Sequence, residues 1–213
     1  MKDLSNYRRS YEKGELVEGN LPETPIELFA QWFEHTEEAA GTGEVNTMTL
    51  STLGQDGFVH ARVVLLKHFS SGGFTFFTNY DSQKGRDIVH SPRVCLSFFW
   101  PTVERQVIIT GMAAKVDAAE SDEYFATRPR GSQLGAWASH QSEQISSREQ
   151  LEKKLRELET DFADKDIPRP AHWGGYIVEP HTIEFWQGRP NRLHDRIRYE
   201  RSGEKWETSR LSP

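Results

Sequence analysis

The sequence predicts a mainly β, α+β protein: an antiparallel, closed or nearly closed barrel with flanking helices. Three observations lead there. From Asn46 to Val116 apolar and polar residues alternate with period two, and β-branched and aromatic residues dominate. Turn signals at Gly54-Gln55-Asp56-Gly57 and Ser70-Ser71-Gly72-Gly73 divide that stretch into closely spaced strands with one short helical crossover. Strand character then returns near the C-terminus, after two helical segments.

Residues 1–20 are polar and mixed in charge and read as a mobile N-terminal arm, followed by a single domain over 21–213. Thr24-Pro25-Ile26-Glu27 combines a capping box with proline at the first helical position, and Ile26, Phe29, Ala30 and Phe33 follow at helical spacing, so a helix runs from about Pro25 to Ala40. The expected strands are 46–53, 58–68, 74–78, 93–100 and 105–116, with a short helix at 82–89 stopped by Pro92. Helices are expected at 118–127 and 147–162, the second with Ser146 and Glu149 as a capping box and Leu151, Leu155, Leu158 and Phe162 as its apolar stripe. Strands at 176–179, 182–186, 192–201 and 205–210 complete the chain.

Composition removes whole classes of function. The chain has 213 residues, 26 Lys+Arg against 32 Asp+Glu, and 12 Phe, 6 Trp and 6 Tyr. A chain of this length buries roughly 70% of its unfolded surface and needs no covalent staple. Cys95 is the single cysteine and the eight histidines show no H-E-x-x-H spacing, so neither a disulfide nor a metal site is expected. No apolar run approaches the ~20 residues of a membrane span and residues 1–21 are too polar for a signal peptide, which makes cytoplasmic location the expectation. The net charge of −6 argues against nucleic-acid binding, whose affinity comes from neutralising many phosphates. Yet Trp186 to Pro213 carries +3 against −9 for the rest, and Arg62 to Gln106 holds a second basic excess. Two arginine-rich stretches on an acidic chain suit a cationic pocket.

Five constellations carry possible chemistry. In Arg62-Val63-Val64-Leu65-Leu66-Lys67 an apolar strand has a cation at each end, either two anion ligands on a rigid element or solubilising charges. In Phe77-Thr78-Asn79-Tyr80-Asp81-Ser82-Gln83-Lys84 a strand gives way to a helix N-terminus, which suits a phosphate; the alternative is an ordinary cap with a solvated lysine. Gln106 could offer a donor and an acceptor to a heterocycle edge, or simply face solvent. Tyr124 and Arg128 share a helix face that Ser132 extends past Pro129, a second phosphate cradle or an exposed helix end. In a strand Arg192, His194 and Arg196 would point to one face, where two guanidiniums would depress the imidazole pKa; an edge strand guarded by charge is the alternative.

Taken in order, Arg-Val-Val-Leu-Leu-Lys, Phe-Phe-Thr-Asn-x-x-Ser-x-Lys, Glu-Arg-Gln, Tyr-Phe-x-x-Arg-Pro-x-x-Ser, Trp137-Ala138-Ser139-His140-Gln141-Ser142 and Phe-Trp-Gln-Gly-x-x-x-Arg-Leu-His-Asp-Arg resemble the pyridoxine/pyridoxamine 5′-phosphate oxidases over almost the whole chain. The resemblance implies an FMN-binding split β-barrel, antiparallel and Greek-key-like, assembled as a homodimer with FMN at the subunit interface. It implies that Arg62, Ser82, Gln83, Lys84, Gln141 and Ser142 hold the FMN phosphate and ribityl region, that Val63, Val64, Leu65, Leu66, Lys67, Phe77 and Thr78 line the flavin, and that Gln106, Trp186 and Arg196 complete the site. Lys67, Tyr124, Arg128 and Ser132 would grip the substrate phosphate, Arg192, Leu193 and His194 would flank the oxidised carbon, and Arg8, Arg9, Ser10 and Tyr11 would fold over the substrate. The implied reaction converts pyridoxamine 5′-phosphate or pyridoxine 5′-phosphate to pyridoxal 5′-phosphate by hydride transfer from C4′ to flavin N5, with O2 as terminal acceptor. One position departs from the family pattern: Gln83 stands where an arginine is expected, with Arg86 nearby as a possible substitute. Rival readings are a non-catalytic flavin or vitamin B6 binding module, a nucleic-acid-binding barrel and a nicotinamide-dependent flavin reductase.

Overall fold

A computed structural model describes residues 2–41 and 43–213; Met1, the first residue of the expected arm, and Thr42 lie outside the described residues. Nine strands form one sheet among them: β1 (Thr47–Leu53), β2 (Val59–Leu65), β3 (His68–Ser70), β4 (Gly73–Asn79), β5 (Arg93–Trp100), β6 (Arg105–Lys115), β7 (Trp173–Gln187), β8 (Asp195–Ser202) and β9 (Lys205–Arg210). The order is β2-β1-β5-β6-β7-β4-β3, with β8 on β7 and β9 on β8. Five helices accompany it: α1 (Pro25–Ala40), α2 (Gln83–His90), α3 (Ala118–Thr127), α4 (Arg130–Ala138) and α5 (Arg148–Asp161). None of the described helices is long and apolar enough to cross a membrane.

The chain divides into two compact units, residues 1–50, 95–111 and 180–213 in one and 51–94 and 112–179 in the other, so that β1, β5, β6 and β7 each contribute to both. In the first unit α1 begins as its sequence demands, with Thr24 Oγ1 accepting the Glu27 N–H at 3.4 Å and Pro25 in the first turn. Its buried face sets Phe29 against Phe98 and Trp100 (ring centroids 5.2 and 5.9 Å) and Trp32 edge-on to Phe185 at 5.2 Å. Phe29 is fully buried. Phe29→Ala is therefore expected to cost about 3–5 kcal/mol, read as a lower midpoint in chemical denaturation with an unchanged slope.

Several local expectations give way to longer-range forces. The expected 58–68 strand is two, because β2 ends at Leu65 and the Lys67 N–H donates to Thr75 O of β4 at 2.8 Å. The expected 176–179 and 182–186 strands are one 15-residue strand, β7, which pairs with β4 through Phe77 opposite Gly175 and with β8 through Trp186 opposite Arg196. Pro180 does not interrupt it. The expected 192–201 strand begins only at Asp195: Pro190–Arg192 form a 3-10 turn in which Asn191 and Arg192 have φ of 57° and 62°. Arg192, His194 and Arg196 thus do not share a strand face. Pro129, which separates α3 from α4, conceals the second of these helices in the sequence. The α5 cap is Ser147, without a side-chain bond, whereas Ser146 Oγ donates to Gln150 Oε1 at 3.0 Å.

The end of the expected arm is anchored in its own unit. Buried Glu104 accepts the N–H groups of Glu12 and Lys13 at 2.7 and 3.0 Å, Leu16 is buried, and its N–H donates to Asp195 Oδ2 at 3.1 Å. Gly188 permits this docking, since a Cβ there would lie 2.7 Å from the Tyr11 ring.

Candidate active site

In the second unit a cavity of about 650 Å³ is lined by Val63, Val64, Leu65, Lys67, Phe77, Thr78, Lys84, Tyr124, Arg128, Ser132, Gln141 and Trp173, among others. Eleven of the residues singled out in the sequence thus share one wall system, although they come from β2, the β2–β3 link, β4, α2, α3, α4 and the loop after it. Val63 is 65% exposed on the outward face of β2, while Leu66 is buried behind the cavity rather than on its lining.

One end of the cavity is built around the start of α2. Ser82 caps the helix, its hydroxyl accepting the Gly85 N–H at 3.4 Å and donating to Asn79 O at 2.7 Å. A Cβ at residue 85 would sit 1.9 Å from Tyr80 O, so glycine lets the helix start tight against the preceding turn. That turn aims Lys84 inward. Lys84 is 8% exposed, and its Nζ donates to Gln141 Oε1 at 2.7 Å and Ser82 Oγ at 3.1 Å. Burial, then the neighbouring Arg62 charge, pulls its pKa down to about 8. The solvated-lysine alternative is thereby excluded. The Gln83 N–H donates to Ser142 Oγ at 3.2 Å, and Ser142 is held at φ 72°. Arg62 donates to Thr52 Oγ1 at 2.6 Å and faces Asp87 at 3.6 Å.

The other end is aromatic and cationic. Tyr124 stacks on Phe77 with centroids 3.9 Å apart and planes 15° apart, and Trp173 continues the stack at 5.7 Å from Phe77. The Arg128 guanidinium lies 4.5 Å over the Trp173 ring. Its Nη1 is buried with no hydrogen-bond partner, and burial lowers its pKa against the opposing pull of Tyr124. A buried guanidinium nitrogen without an acceptor costs stability. Arg128 is the C-cap of α3, with extended backbone, and Ser132 lies in the first turn of α4; the two reach one cavity from different helices rather than along one helix face.

The first unit has its own cavity, about 790 Å³, lined by Tyr7, Arg8, Arg9, Ser10, Tyr11, Arg189, Asn191, Arg192 and His194. Trp186, Tyr11 and His194 pack together, the Trp186–His194 centroids 4.6 Å apart. The Arg189 N–H donates to His194 Nδ1 at 3.1 Å, which leaves the ring proton of the neutral imidazole on Nε2. Burial first, and then the Arg192 charge, lowers the His194 pKa, while Asp195 opposes both. The direction matches the sequence reading, but burial is the main cause and Arg196 takes no part. Arg196 instead pairs with Glu184 at 2.8 Å and donates to Ser212 O at 2.8 Å, and that Glu184 bond raises its pKa. Leu193 is 68% exposed and does not line this cavity. Gln106 contacts Ser97 Oγ at 3.5 Å. The left-handed φ at non-glycine Asn191 and Arg192 stores strain of about 1–3 kcal/mol each, which the surrounding fold must offset.

Sequence reasoning missed Trp173, the platform under Arg128, and the Thr52–Asp87–His60 group beside Arg62. Trp173 opens a strand that Gly174 and Gly175 make look like a turn. Asp87 reads as one more charge on a short helix, and nothing in its local sequence marks it as buried.

An antiparallel sheet with a cationic, aromatic-walled cavity, at whose helix entry lies a buried lysine, defines a protein that holds phosphorylated small molecules. Residues 35–161 match the family model described as pyridoxamine 5′-phosphate oxidase, and 173–213 match the pyridoxine 5′-phosphate oxidase C-terminal dimerisation region. Relatives named pyridoxine/pyridoxamine 5′-phosphate oxidase include those of Flavobacterium johnsoniae (61% identical, 100% of both chains) and Flavobacterium psychrophilum (59%, 100% of both). Among solved structures, PhzG from Burkholderia lata in complex with tetrahydrophenazine-1-carboxylic acid superposes with a TM-score of 0.86 at 32% identity, covering 93% of this chain and 98% of that one. An FMN-binding, pyridoxamine 5′-phosphate oxidase-related protein from Nostoc punctiforme shares the fold at a TM-score of 0.70 and 14% identity, covering 89% and 98%. The chain belongs to the pyridoxine/pyridoxamine 5′-phosphate oxidase family, and its fold is the split barrel of that family.

Proposed function

We propose that the protein is an FMN-dependent oxidase that converts pyridoxamine 5′-phosphate and pyridoxine 5′-phosphate to pyridoxal 5′-phosphate, acting in the cytoplasm as a homodimer with FMN at the subunit interface and residues 21–213 as one FMN-binding domain. The observation that carries this reading is Arg128, a cavity-lining guanidinium with a buried nitrogen that lacks an acceptor. A substrate phosphate supplies that acceptor.

The residues present also fit FMN. Lys84 and Arg62 crowd like charges near an α-helix start, a repulsion that a phosphate relieves, and Val63, Val64 and Leu65 give the cavity an apolar wall. Arg62, Ser82, Gln83, Lys84, Gln141 and Ser142 hold the phosphate and ribityl chain; Val63, Val64, Leu65, Lys67, Phe77 and Thr78 line the ring; Gln106, Trp186 and Arg196 complete the site. When bound, FMN supplies the acceptor for the hydride leaving C4′ and passes the electron pair to O2, giving H2O2.

The chain's own residues do the positioning. Lys67, Tyr124, Arg128 and Ser132 grip the substrate phosphate and so set where C4′ lies. His194 presents Nε2–H as a donor to the oxygen or nitrogen on C4′, because Arg189 N–H occupies Nδ1. It orients that group and does not accept its proton at Nε2. Arg192 flanks the same carbon, and Arg8, Arg9, Ser10 and Tyr11 cover the substrate against water. Oxidation of the alcohol gives the aldehyde directly; oxidation of the amine gives an imine that water hydrolyses. Anaerobic addition of pyridoxamine 5′-phosphate to the FMN-loaded protein is expected to bleach the flavin absorbance. Persistent colour with that substrate, or bleaching only with NADH, would overturn the assignment.

A further inference from the structure

The entry to α2 contains a side chain that none of the roles above uses. His60, on β2, has Nδ1 2.9 Å from Asp87 Oδ2 and Nε2 3.3 Å from Asp56 Oδ2. The Gln83 amide nitrogen lies 3.2 and 3.3 Å from its two ring nitrogens. Gly54 leaves room for the ring, since a Cβ there would lie 2.4 Å from His60 Cε1. Asp87, 5% exposed, also accepts the Thr52 hydroxyl at 2.7 Å and faces Arg62. A buried carboxylate beside residues that hold a phosphate demands an explanation.

Charge accounting supplies one. Arg62 and Lys84 are cationic, and Asp87 offsets one of them, whereas a phosphate monoester carries close to two negative charges at neutral pH. Gln83, the first residue of α2, adds no charge. Arg86 does not compensate, because its guanidinium is held on the Asp81 carbonyl. Asp56, the second carboxylate at His60, is 54% exposed and screened by water. We propose that His60, as the imidazolium held by Asp87 and Asp56, is the third cation of the flavin-phosphate cradle, and that Asp87 is the positioning residue that orients both His60 and Arg62. This rests on the FMN reading above.

The titration has a definite sign. The hydrogen bond to Asp87 raises the His60 pKa, burial opposes it, and the Asp56 and Asp87 charges add to the rise. The cation is therefore present below that raised pKa and is lost as pH increases through it. Lys84, at about 8, closes the useful window from above.

FMN and riboflavin binding to the apoprotein, followed by flavin fluorescence quenching between pH 6 and 7.5, tests the assignment. His60→Gln is expected to weaken FMN binding roughly fivefold at pH 6, the size of one partly exposed charge acting on the phosphate, with the difference shrinking as pH rises through the His60 titration. Riboflavin, which has no phosphate, should not distinguish the two proteins. Adding Gln83→Arg to His60→Gln should restore the lost affinity. In the wild-type protein the assigned His60 imidazole resonance should also titrate at higher pH once FMN is bound, a readout that needs no variant. FMN profiles that superimpose for wild type and His60→Gln, or a His60 titration that FMN leaves unmoved, overturn the proposal while leaving the FMN reading intact; a wild type that binds no FMN overturns both.

Discussion

Replacing Arg128 with alanine is expected to raise KM for pyridoxamine 5′-phosphate about a hundredfold while FMN affinity stays within about twofold of wild type. The guanidinium lies over Trp173 with a buried Nη1 that has no acceptor in the protein, and in the function proposed above the substrate phosphate is the partner that completes it. A charge-assisted, partly desolvated contact of this kind is worth about 2–3 kcal/mol, and each 1.36 kcal/mol is a factor of ten. Arg128→Lys should recover little, because an ammonium neither stacks on the indole nor offers a planar pair of donors. The same reasoning predicts that the substrate-free Arg128→Ala protein loses little stability, since removal of an unsatisfied buried group offsets the lost stacking on Trp173. Steady-state kinetics, flavin titration and denaturation measure the three quantities. A fall in kcat with KM unchanged would remove Arg128 from the phosphate cradle.

His194 supplies the second large effect. With Nδ1 accepting the Arg189 N–H, the ring is a donor through Nε2, and glutamine is the substitution that best imitates that donor. His194→Ala is expected to lower kcat about 100- to 1,000-fold, His194→Gln about tenfold, and His194→Glu as much as alanine, each with FMN affinity little changed. Protonation of the ring adds a proton at Nδ1 and displaces the Arg189 N–H. Since burial and Arg192 hold the His194 pKa below its ordinary value, the acid limb contributed by this residue lies below pH 6.5. With pyridoxine 5′-phosphate, which has no amine to titrate, kcat/KM should fall on that limb in wild type and keep only the phosphate-dependent part in His194→Gln. Equal activity of the glutamine and glutamate variants would identify the ring as an acceptor instead.

These two residues differ in how far the sequence reveals them. Arg128 belongs to a short run whose function-bearing residues lie within nine positions of one another, so Tyr124, Arg128 and Ser132 group together on sequence alone, even though the single helix that would connect them is two helices broken at Pro129. Lys84 is legible for the same reason, as a strand end, a serine cap and a lysine in sequence. His194 can be singled out, but its surroundings cannot. A regular strand through 192–201 would set Arg196 beside it, whereas the 3-10 turn and left-handed Asn191 and Arg192 give it Arg189 and Trp186 as neighbours, and Arg196 belongs to Glu184.

Period, caps and short motifs are properties of neighbouring residues, so the class of fold, the helix at Pro25, the strand-to-helix turn before α2 and eleven of the side chains on the cavity wall are legible without any tertiary contact. Which charges remain available to a ligand depends on contacts between distant residues. Asp87 with Thr52 and His60, Glu104 with the arm, and Glu184 with Arg196 pair residues 12 to 92 positions apart. Such pairs form only when strands and helices dock, since the partners share no local geometry and burial alone makes their bonds obligatory. Net charge along the chain pointed to a cationic cleft; which cations are already matched, and which wait for a phosphate, is set by that docking.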